Sequence, residues 1–243
     1  MAKLGIIGSQ GRMGQAIAAA IADAGHSHAG GVDAGDAVTP LAQASEALID
    51  FSAPVALETN LAAAREAGVP ILIGTTGLEA EHLAMVEEAA QVIPVLQTGN
   101  TSLGVTLLSH LVREAAAKLG PDWDIEVLEM HHRMKVDAPS GTAKLLGEAA
   151  AAGRGVELAE VRDAVRDGHT GARKEGDIGF ATLRGGTVAG DHSVIFAGNE
   201  ERLTLSHSAE NRMIFARGAV RGAQWLLQQD QGRYSMNDVL GLD

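Results

Sequence analysis

Two adjacent imidazoles, His131 and His132, and three cations, Arg133, Lys135 and Lys144, fall within a 14-residue run of an otherwise acidic chain. A neutral imidazole gives or takes a proton near pH 7, and Lys135 supplies a fixed charge or a proton. If a strand runs through the pair, the two rings point to opposite sides and serve different purposes. Downstream, Pro139 biases Ala138 towards extended geometry, and Ser140 is a suitable N-cap for a following helix. The first N–H groups of that helix, at Gly141 and Thr142, together with the Thr142 hydroxyl, make a site for a carboxylate. Cations beside a helix N-terminus suit a substrate with at least two negative charges. A zinc site competes with this reading, but adjacent histidines cannot easily bind one ion and the i, i+4 spacing of a metal helix is absent, so no metal is expected. The alternative without chemistry is a charged surface loop ending in a helix cap.

A second chemical feature lies at the other end of the chain. Gly8-Ser9-Gln10-Gly11-Arg12-Met13-Gly14 follows an apolar run directly and opens a helical pattern. Gly8 permits a tight turn, Gly11 a close backbone approach and Gly14 close helix–sheet contact, so that a pyrophosphate can meet free N–H groups. The spacing is G-x-x-G-x-x-G, not the commoner G-x-G-x-x-G. An acidic residue, Asp33, stands 19 positions beyond Gly14 at the end of the second apolar run, where a dinucleotide fold places its ribose acceptor. No cation follows it; Ala34, Gly35 and Asp36 come next. A 2′-phosphate there would meet two carboxylates, so NADH is expected over NADPH. Two further segments, Gly74-Thr75-Thr76-Gly77 and Thr98-Gly99-Asn100-Thr101, fall at strand ends and can line the nicotinamide half of the coenzyme.

The elements that must position these groups follow from periodicity. Apolar runs at Leu4–Ile7, His28–Val32, Ala47–Phe51, Ile71–Ile73 and Val92–Leu96 alternate with helical stretches at Gly14–Ala24, Val55–Ala67 and Glu79–Ala90. This rhythm predicts βαβ units and a Rossmann-like parallel sheet covered on both faces, with Gly25, Gly68 and Gly120 at helix ends. A longer helix is predicted over Val105–Leu119. The pattern then changes to alternating strands at Asp124–Met130 and Glu201–His207, with further strands at Ile178–Leu183 and Ser193–Ala197. These predict a second, α+β domain with a mainly antiparallel or mixed sheet. Gly153–Gly155 and Asp163–Glu175 read as loops, His192 and His207 as flanking strands, and His110 as a structural residue within a helix. A last helix, Arg212–Gln228, is expected to return to the first domain. The domains are therefore 1–102 with 212–243, and 103–211. Arg212, at the start of that helix, reads either as a surface cation or, if the helix borders the cleft, as a partner for a substrate carboxylate.

Composition sets the outer limits. The chain has 243 residues, no cysteine, 46% hydrophobic and 21% charged residues, and a formal net charge of −12. Disulfides, thiolate metal sites and a cysteine nucleophile are excluded. The acidic balance argues against nucleic-acid binding, which needs a basic face. No apolar run is long enough for a spanning helix, and glycines interrupt the N-terminus before it could form a signal-peptide core. A cytoplasmic protein without membrane association is expected.

The run His131–Ala143, HHRMKVDAPSGTA, resembles the signature of the 4-hydroxy-tetrahydrodipicolinate reductase (dihydrodipicolinate reductase) family of bacterial lysine and diaminopimelate biosynthesis. The resemblance extends through Gly8–Gly14, Asp50-Phe51-Ser52 with Pro54, Gly74–Gly77, Asn100–Val105, Asp167–Gly171, Ile178–Ala181, Arg212–Ala216 and Asp238-Val239-Leu240. It implies an oxidoreductase that removes water from a hydroxylated ring and reduces it with hydride from NADH or NADPH. Carried over by motif, His131 is the proton donor or acceptor and Lys135 the proton donor, while His132, Gly141 and Thr142 bind the substrate carboxylates. Gly8, Ser9, Gln10, Gly11, Arg12, Met13, Asp33, Gly74, Thr75, Thr76, Thr98, Gly99, Asn100 and Thr101 bind the coenzyme. The resemblance also implies a homotetramer assembled through the second-domain sheet. This chain departs from the family in a shorter stretch between Asp33 and Ala47. It also has Asp33-Ala34 where an acidic–basic pair is common, and Thr98-Gly99 where a small residue and proline usually precede the asparagine.

Overall fold

The computed structural model describes residues 1–242. β1 (Lys3–Ile7) runs into the glycine loop and α1 (Arg12–Asp23). Then come β2 (Ser27–Val32), α2 (Thr39–Ala44), β3 (Ala47–Asp50), α3 (Leu57–Ala67), β4 (Ile71–Ile73), α4 (Ala80–Ala90) and β5 (Pro94–Gln97). The middle of the chain forms α5 (Leu103–Leu119), β6 (Asp124–His131), α6 (Gly141–Gly153), α7 (Leu158–Val161), β7 (Arg162–Asp163), β8 (Ile178–Arg184), β9 (Gly190–Ala197) and β10 (Arg202–Ala209). The chain closes with α8 (Met213–Leu226), β11 (Gly232–Tyr234) and α9 (Met236–Leu240). Two compact units result: Met1–Leu103 with the chain from Arg212 onward, and Gly104–Asn211.

In the first unit, six strands form one sheet in the order β11-β5-β4-β3-β1-β2, and every pairing is parallel. Successive strand residues feed two different cores. Leu4, Ile6, Ile49, Leu72 and Leu96 pack with Ile17 and Ile21 of α1 and Ala219 and Leu226 of α8. Ile7, Leu48, Ile71, Ile73 and Val95 pack with Leu41 of α2, Leu57 and Leu61 of α3 and Val86 of α4. Covering both faces explains the unbroken apolar runs. β4 holds as a three-residue strand because all three side chains are fully buried. Burial at ~1.5–3 kcal/mol each offsets a backbone ordering cost of ~1–2 kcal/mol per residue. The chain order reverses between β1 and β3, and the glycine loop and Phe51-Ser52 emerge at that switch, where open α/β sheets bind ligands.

The second unit holds a five-stranded sheet in the order β10-β9-β6-β8-β7. It is mixed: β6 is antiparallel to β9 and parallel to β8. β6 alternates strictly, with Ile125, Val127, Glu129 and His131 buried. The inward apolar residues pack against Leu108 and Val112 of α5 and Leu146 and Ala150 of α6. Two of the four inward residues of β6 are therefore ionisable, and they sit at its C-terminal end.

Several elements went unanticipated because they are short: α2, α7, β7, β11 and α9 have two to six residues each. β9 begins at Gly190, not Ser193, because the polar start Asp191-His192 hides the strand periodicity. His192 and His207 consequently lie inside β9 and β10, directly paired across the ladder, which corrects the expectation that they flank strands. In the loop that follows β7, Arg166 pairs with Asp163 and Glu126, and Arg173 with Asp124 and Glu126, tying the segment to β6.

Candidate active site

In the first unit, the strand ends open a cleft of about 500 Å³, lined among others by Gly11, Arg12, Met13, Thr75, Thr98 and Asn100. Gly74, Thr76, Gly99 and Thr101 also line it, so ten of the fourteen expected coenzyme residues are in the wall, and Phe51, Ser52 and Phe215 join them. The glycine loop is shaped by two positions. Gly8 has φ +84°, and a Cβ there would sit 2.6 Å from the Phe51 carbonyl oxygen. A Cβ at Gly14 would lie 2.2 Å from the Gly8 carbonyl oxygen. Any side chain at either place would displace the loop or the helix start. Gly11 is the N-cap of α1 and no side chain caps it, so the first N–H groups and their partial positive charge are left for an anion. A backbone cradle that a Cβ would fill, an uncapped helix start and threonine hydroxyls at two strand ends fit a dinucleotide.

Gly8, Ser9, Gln10 and Asp33 are not in the cleft wall. Asp33 binds the loop itself: Ser9 Oγ donates to Oδ2 at 2.6 Å, and the Gln10 N–H donates to the same carboxylate at 3.1 and 3.2 Å. Asp36 accepts the N–H of Asp33 at 2.9 Å, so a second acidic side chain folds back onto the turn after β2.

Asp50, fully buried at the end of β3, organises the cleft from beneath. It accepts from the Ser52 N–H at 2.9 Å, Ser52 Oγ at 2.6 Å, Asn60 Nδ2 at 3.0 Å and Thr75 Oγ1 at 3.4 Å. One carboxylate thereby positions wall residues from two strand ends. Elsewhere in the lining, Thr101 Oγ1 donates to the Phe215 carbonyl at 2.7 Å, tying the start of α8 to the segment after β5. Arg212 precedes α8 by one residue and is exposed.

In the second unit, His131 is 9% exposed and ends β6. Its Nδ1 lies 2.5 Å from Glu129 Oε2. Glu129, 1% exposed, is gripped by Arg184 through Nη1 to Oε2 at 2.9 Å and Nη2 to Oε1 at 3.0 Å. The Ser140 N–H adds a bond at 3.0 Å. Burial pushes the Glu129 carboxyl up, but the bonds from Arg184, His131 and Ser140 outweigh it and hold the group below its usual range. Ser140 caps α6, its Oγ accepting from the Ala143 N–H at 3.1 Å, and that oxygen also meets His192 Nε2 at 2.9 Å. His192 packs edge-on to His131 with centroids 5.1 Å apart. Burial, and then the neighbouring His131, push His192 down to about 4, so it is neutral at pH 7.

The turn after β6 carries the remaining groups. The His132 N–H donates to the Val188 carbonyl at 2.8 Å, and the Lys135 N–H to the His132 carbonyl at 3.1 Å. Lys135 Nζ pairs with Asp137 Oδ1 at 2.8 Å, and this bond, foremost, holds the Asp137 carboxyl below its usual value. Gly141 and Thr142 form the first turn of α6, exposed and half-buried respectively. His131, His132, Lys135, Gly141 and Thr142 therefore belong to one unit, and Arg212 to the other.

Sequence reading missed Glu129, Arg184 and His192 because their partnership crosses three strands. One signal was available: Glu129 occupies the apolar parity of β6, and a carboxylate there needs partners. Among the described residues, no group of three or more His, Asp or Glu is placed to hold a metal, and no helix is long and apolar enough to cross a membrane.

Comparison with known proteins gives the family. Residues 2–101 match the family model described as dihydrodipicolinate reductase, N-terminus, and residues 104–240 match the corresponding C-terminus. The 4-hydroxy-tetrahydrodipicolinate reductase of Zymomonas mobilis is 54% identical, covering 99% of this chain and 97% of that protein. The enzyme of the same name from Caulobacter vibrioides is 51% identical, covering 98% and 97%. Among solved structures, a dipicolinate-bound dihydrodipicolinate reductase from Paenisporosarcina sp. TG-14 shares the fold, with TM-score 0.75, 21% identity and 97% coverage of each chain. Both halves of the chain thus match one family, and so does its sequence over nearly the full length: the chain belongs to the dihydrodipicolinate reductase family.

Proposed function

We propose that the protein reduces 4-hydroxy-tetrahydrodipicolinate to tetrahydrodipicolinate as a cytoplasmic step of diaminopimelate and lysine biosynthesis, with NADH preferred to NADPH. The observation that carries this reading is the Glu129–His131 contact beside a capped helix start, in a chain whose other unit offers a dinucleotide cleft. The reaction needs loss of water from the ring, then a hydride and a proton. When bound, the nicotinamide ring supplies the hydride.

The chain's own residues supply the rest. Gly8 to Met13 cradle the pyrophosphate, Asp33 accepts from the ribose, and Gly74–Thr76 and Thr98–Thr101 hold the nicotinamide end. The Asp36 side chain folds back onto the turn that carries Asp33, so a 2′-phosphate meets like charge, and this supports the NADH preference. His131 exchanges a proton through Nε2, and Lys135 donates one. His132, Gly141, Thr142 and Arg212 hold the two substrate carboxylates. Positioning supplies much of the rate gain.

The same reading makes the protein a homotetramer joined through the second-unit sheet. Its outward parity, including Leu128, Met130, Leu183 and Ile195, is half-buried or exposed, and light scattering tests this directly. Activity is tested by coenzyme oxidation, with substrate made in place from pyruvate and aspartate semialdehyde by a synthase. Turnover with NADH, lost in His131→Ala and Lys135→Ala, is the expected outcome. Faster turnover with NADPH would overturn the coenzyme assignment, and no turnover with either coenzyme would overturn the reaction.

A further inference from the structure

We propose that Glu129 and Arg184 are a positioning pair for proton transfer: Glu129 fixes which nitrogen of His131 exchanges the proton, and Arg184 holds Glu129 and the lysine-bearing turn in one frame. The inference rests on the reading of His131 and Lys135 as the proton-handling groups and extends it to the residues that hold them from behind.

The geometry is specific. An ionised carboxylate only accepts hydrogen bonds, so the 2.5 Å contact between Glu129 Oε2 and His131 Nδ1 requires the proton on Nδ1. In the neutral ring this leaves the lone pair on Nε2, and in the charged ring it leaves Nε2–H as the proton to be given. Either way Nε2 is the exchanging atom. The backbone keeps that side open: a Cβ at residue 190 would stand 3.0 Å from Nε2, and the residue there is glycine. His192, two residues along β9, packs edge-on against the ring and limits its rotation.

Arg184 connects the two proton-handling groups. Its guanidinium bonds both oxygens of Glu129 and also donates through Nη2 to the Asp137 carbonyl at 2.6 Å. Asp137 in turn pairs with Lys135. One planar fork therefore braces the carboxylate that orients His131 and the turn that carries Lys135. A lysine ammonium donates from one nitrogen only and cannot span these acceptors. Glu129 also accepts the N–H of Ser140, so the start of α6 is set by the same group.

A purely structural purpose explains this arrangement poorly. Removing two charges from water costs several kcal/mol per ion, and apolar replacements of buried pairs are often as stable or more so. The remaining inward residues of β6, Ile125 and Val127, show that this face accepts aliphatic side chains. A paired carboxylate that fixes a histidine tautomer, by contrast, is worth up to ~10⁴-fold in turnover where it orients a proton carrier.

The test combines spectroscopy with kinetics. In wild-type protein labelled with 15N at histidine, the His131 signals are assigned by their loss in His131→Asn. The neutral ring is expected to show a protonated Nδ1 and a bare Nε2. A ring protonated at Nε2 alone would overturn the proposal, and this measurement needs no change at Glu129. In Glu129→Gln, kcat is expected to fall ~10²-fold or more with the KM for NADH within two-fold of wild type. In Arg184→Lys, which keeps the charge, kcat falls ~10-fold with the fold and NADH binding retained. Wild-type kcat in both variants would overturn the positioning assignment. His131→Asn separates the two levels: if it retains full turnover, the proton-carrier reading fails; if it loses turnover while Glu129→Gln keeps both turnover and tautomer, only the positioning proposal fails.

Discussion

The two units build their polar centres in opposite ways. In the first, the site is made of backbone: glycines that leave room, an uncapped helix start and hydroxyls at strand ends. Its one buried carboxylate, Asp50, lies beneath the wall and holds it in shape. In the second, the cluster is made of ionisable side chains drawn from β6, β8 and β9, joined by the N–H and hydroxyl of Ser140 at the start of α6. A parallel sheet covered on both faces leaves only its strand ends for function, so a ligand meets loops. A mixed sheet with helices over one face can carry polar residues on its inward parity, provided each is paired, as Glu129 is. Backbone dipoles suit binding of a phosphate, which needs no proton. Titratable side chains suit a step in which a proton moves.

This contrast predicts that changes in the two units separate cleanly. The largest effect is expected at His131. His131→Asn should lower kcat by ~10²–10⁴-fold, as loss of a positioned proton carrier does, while NADH binding measured by fluorescence stays within two-fold. A comparable loss of NADH affinity would break the division of labour.

The next effect concerns pH. The folded protein keeps His192 at about 4, below its ordinary 6.5, so between those values the unfolded chain binds the extra proton. Stability is fully present above pH 6.5 and is lost as pH falls towards 4, by up to ~3 kcal/mol from this group. Urea unfolding at pH 7 and pH 5 should show the loss, and His192→Gln should flatten the slope. An unchanged slope in the variant would show that another group carries it.

Asp50→Asn is expected to cost ~1–3 kcal/mol, because one of its donors is left facing another donor. Thermal unfolding and NADH titration should both register it, since Ser52 and Thr75 would lose their common anchor. The smallest effect is at Asp33. Asp33→Ala with Ala34→Arg should move the NADH/NADPH preference ~10-fold towards NADPH, about 1.4 kcal/mol, measured as the ratio of kcat/KM values. No movement would place the discrimination elsewhere in the loop.

The same contrast explains what the sequence made legible. The first unit is local: strand, glycine loop and helix are contiguous from Lys3 to Asp23, so spacing alone exposes both the fold and the cradle. The acidic residue at position 33 was equally visible, but not its grip on Ser9 and Gln10, which depends on how β2 ends beside the loop. In the second unit, the run from His131 to Thr142 was visible as a cluster of ionisable groups beside a helix start. Arg184 lies 55 residues beyond Glu129 and Ser140 lies 52 before His192, and such pairings exist only once the register of β6 with β8 and β9 is known. Short elements such as α2 and β7 were hidden for another reason: too few residues repeat for a period to show. Phe215 escaped because in the sequence it is one apolar residue of a helix expected to pack inward; its place in the cleft wall follows from where α8 docks, beside Thr101.

The most direct test of the account is a crossed pair of variants, Gly14→Ala and His131→Asn, each measured for NADH affinity and for single-turnover rate at saturating NADH. A Cβ at position 14 collides with the Gly8 carbonyl, so Gly14→Ala should weaken NADH binding by ~10-fold or more, given an overpacking cost of ~1–3 kcal/mol. Its saturated rate should stay within a few-fold of wild type. His131→Asn should do the reverse, binding NADH normally and turning over ~10²-fold or more slowly. If each variant impaired affinity and saturated rate alike, binding and proton transfer would not be divided between the two units, and the account would be wrong.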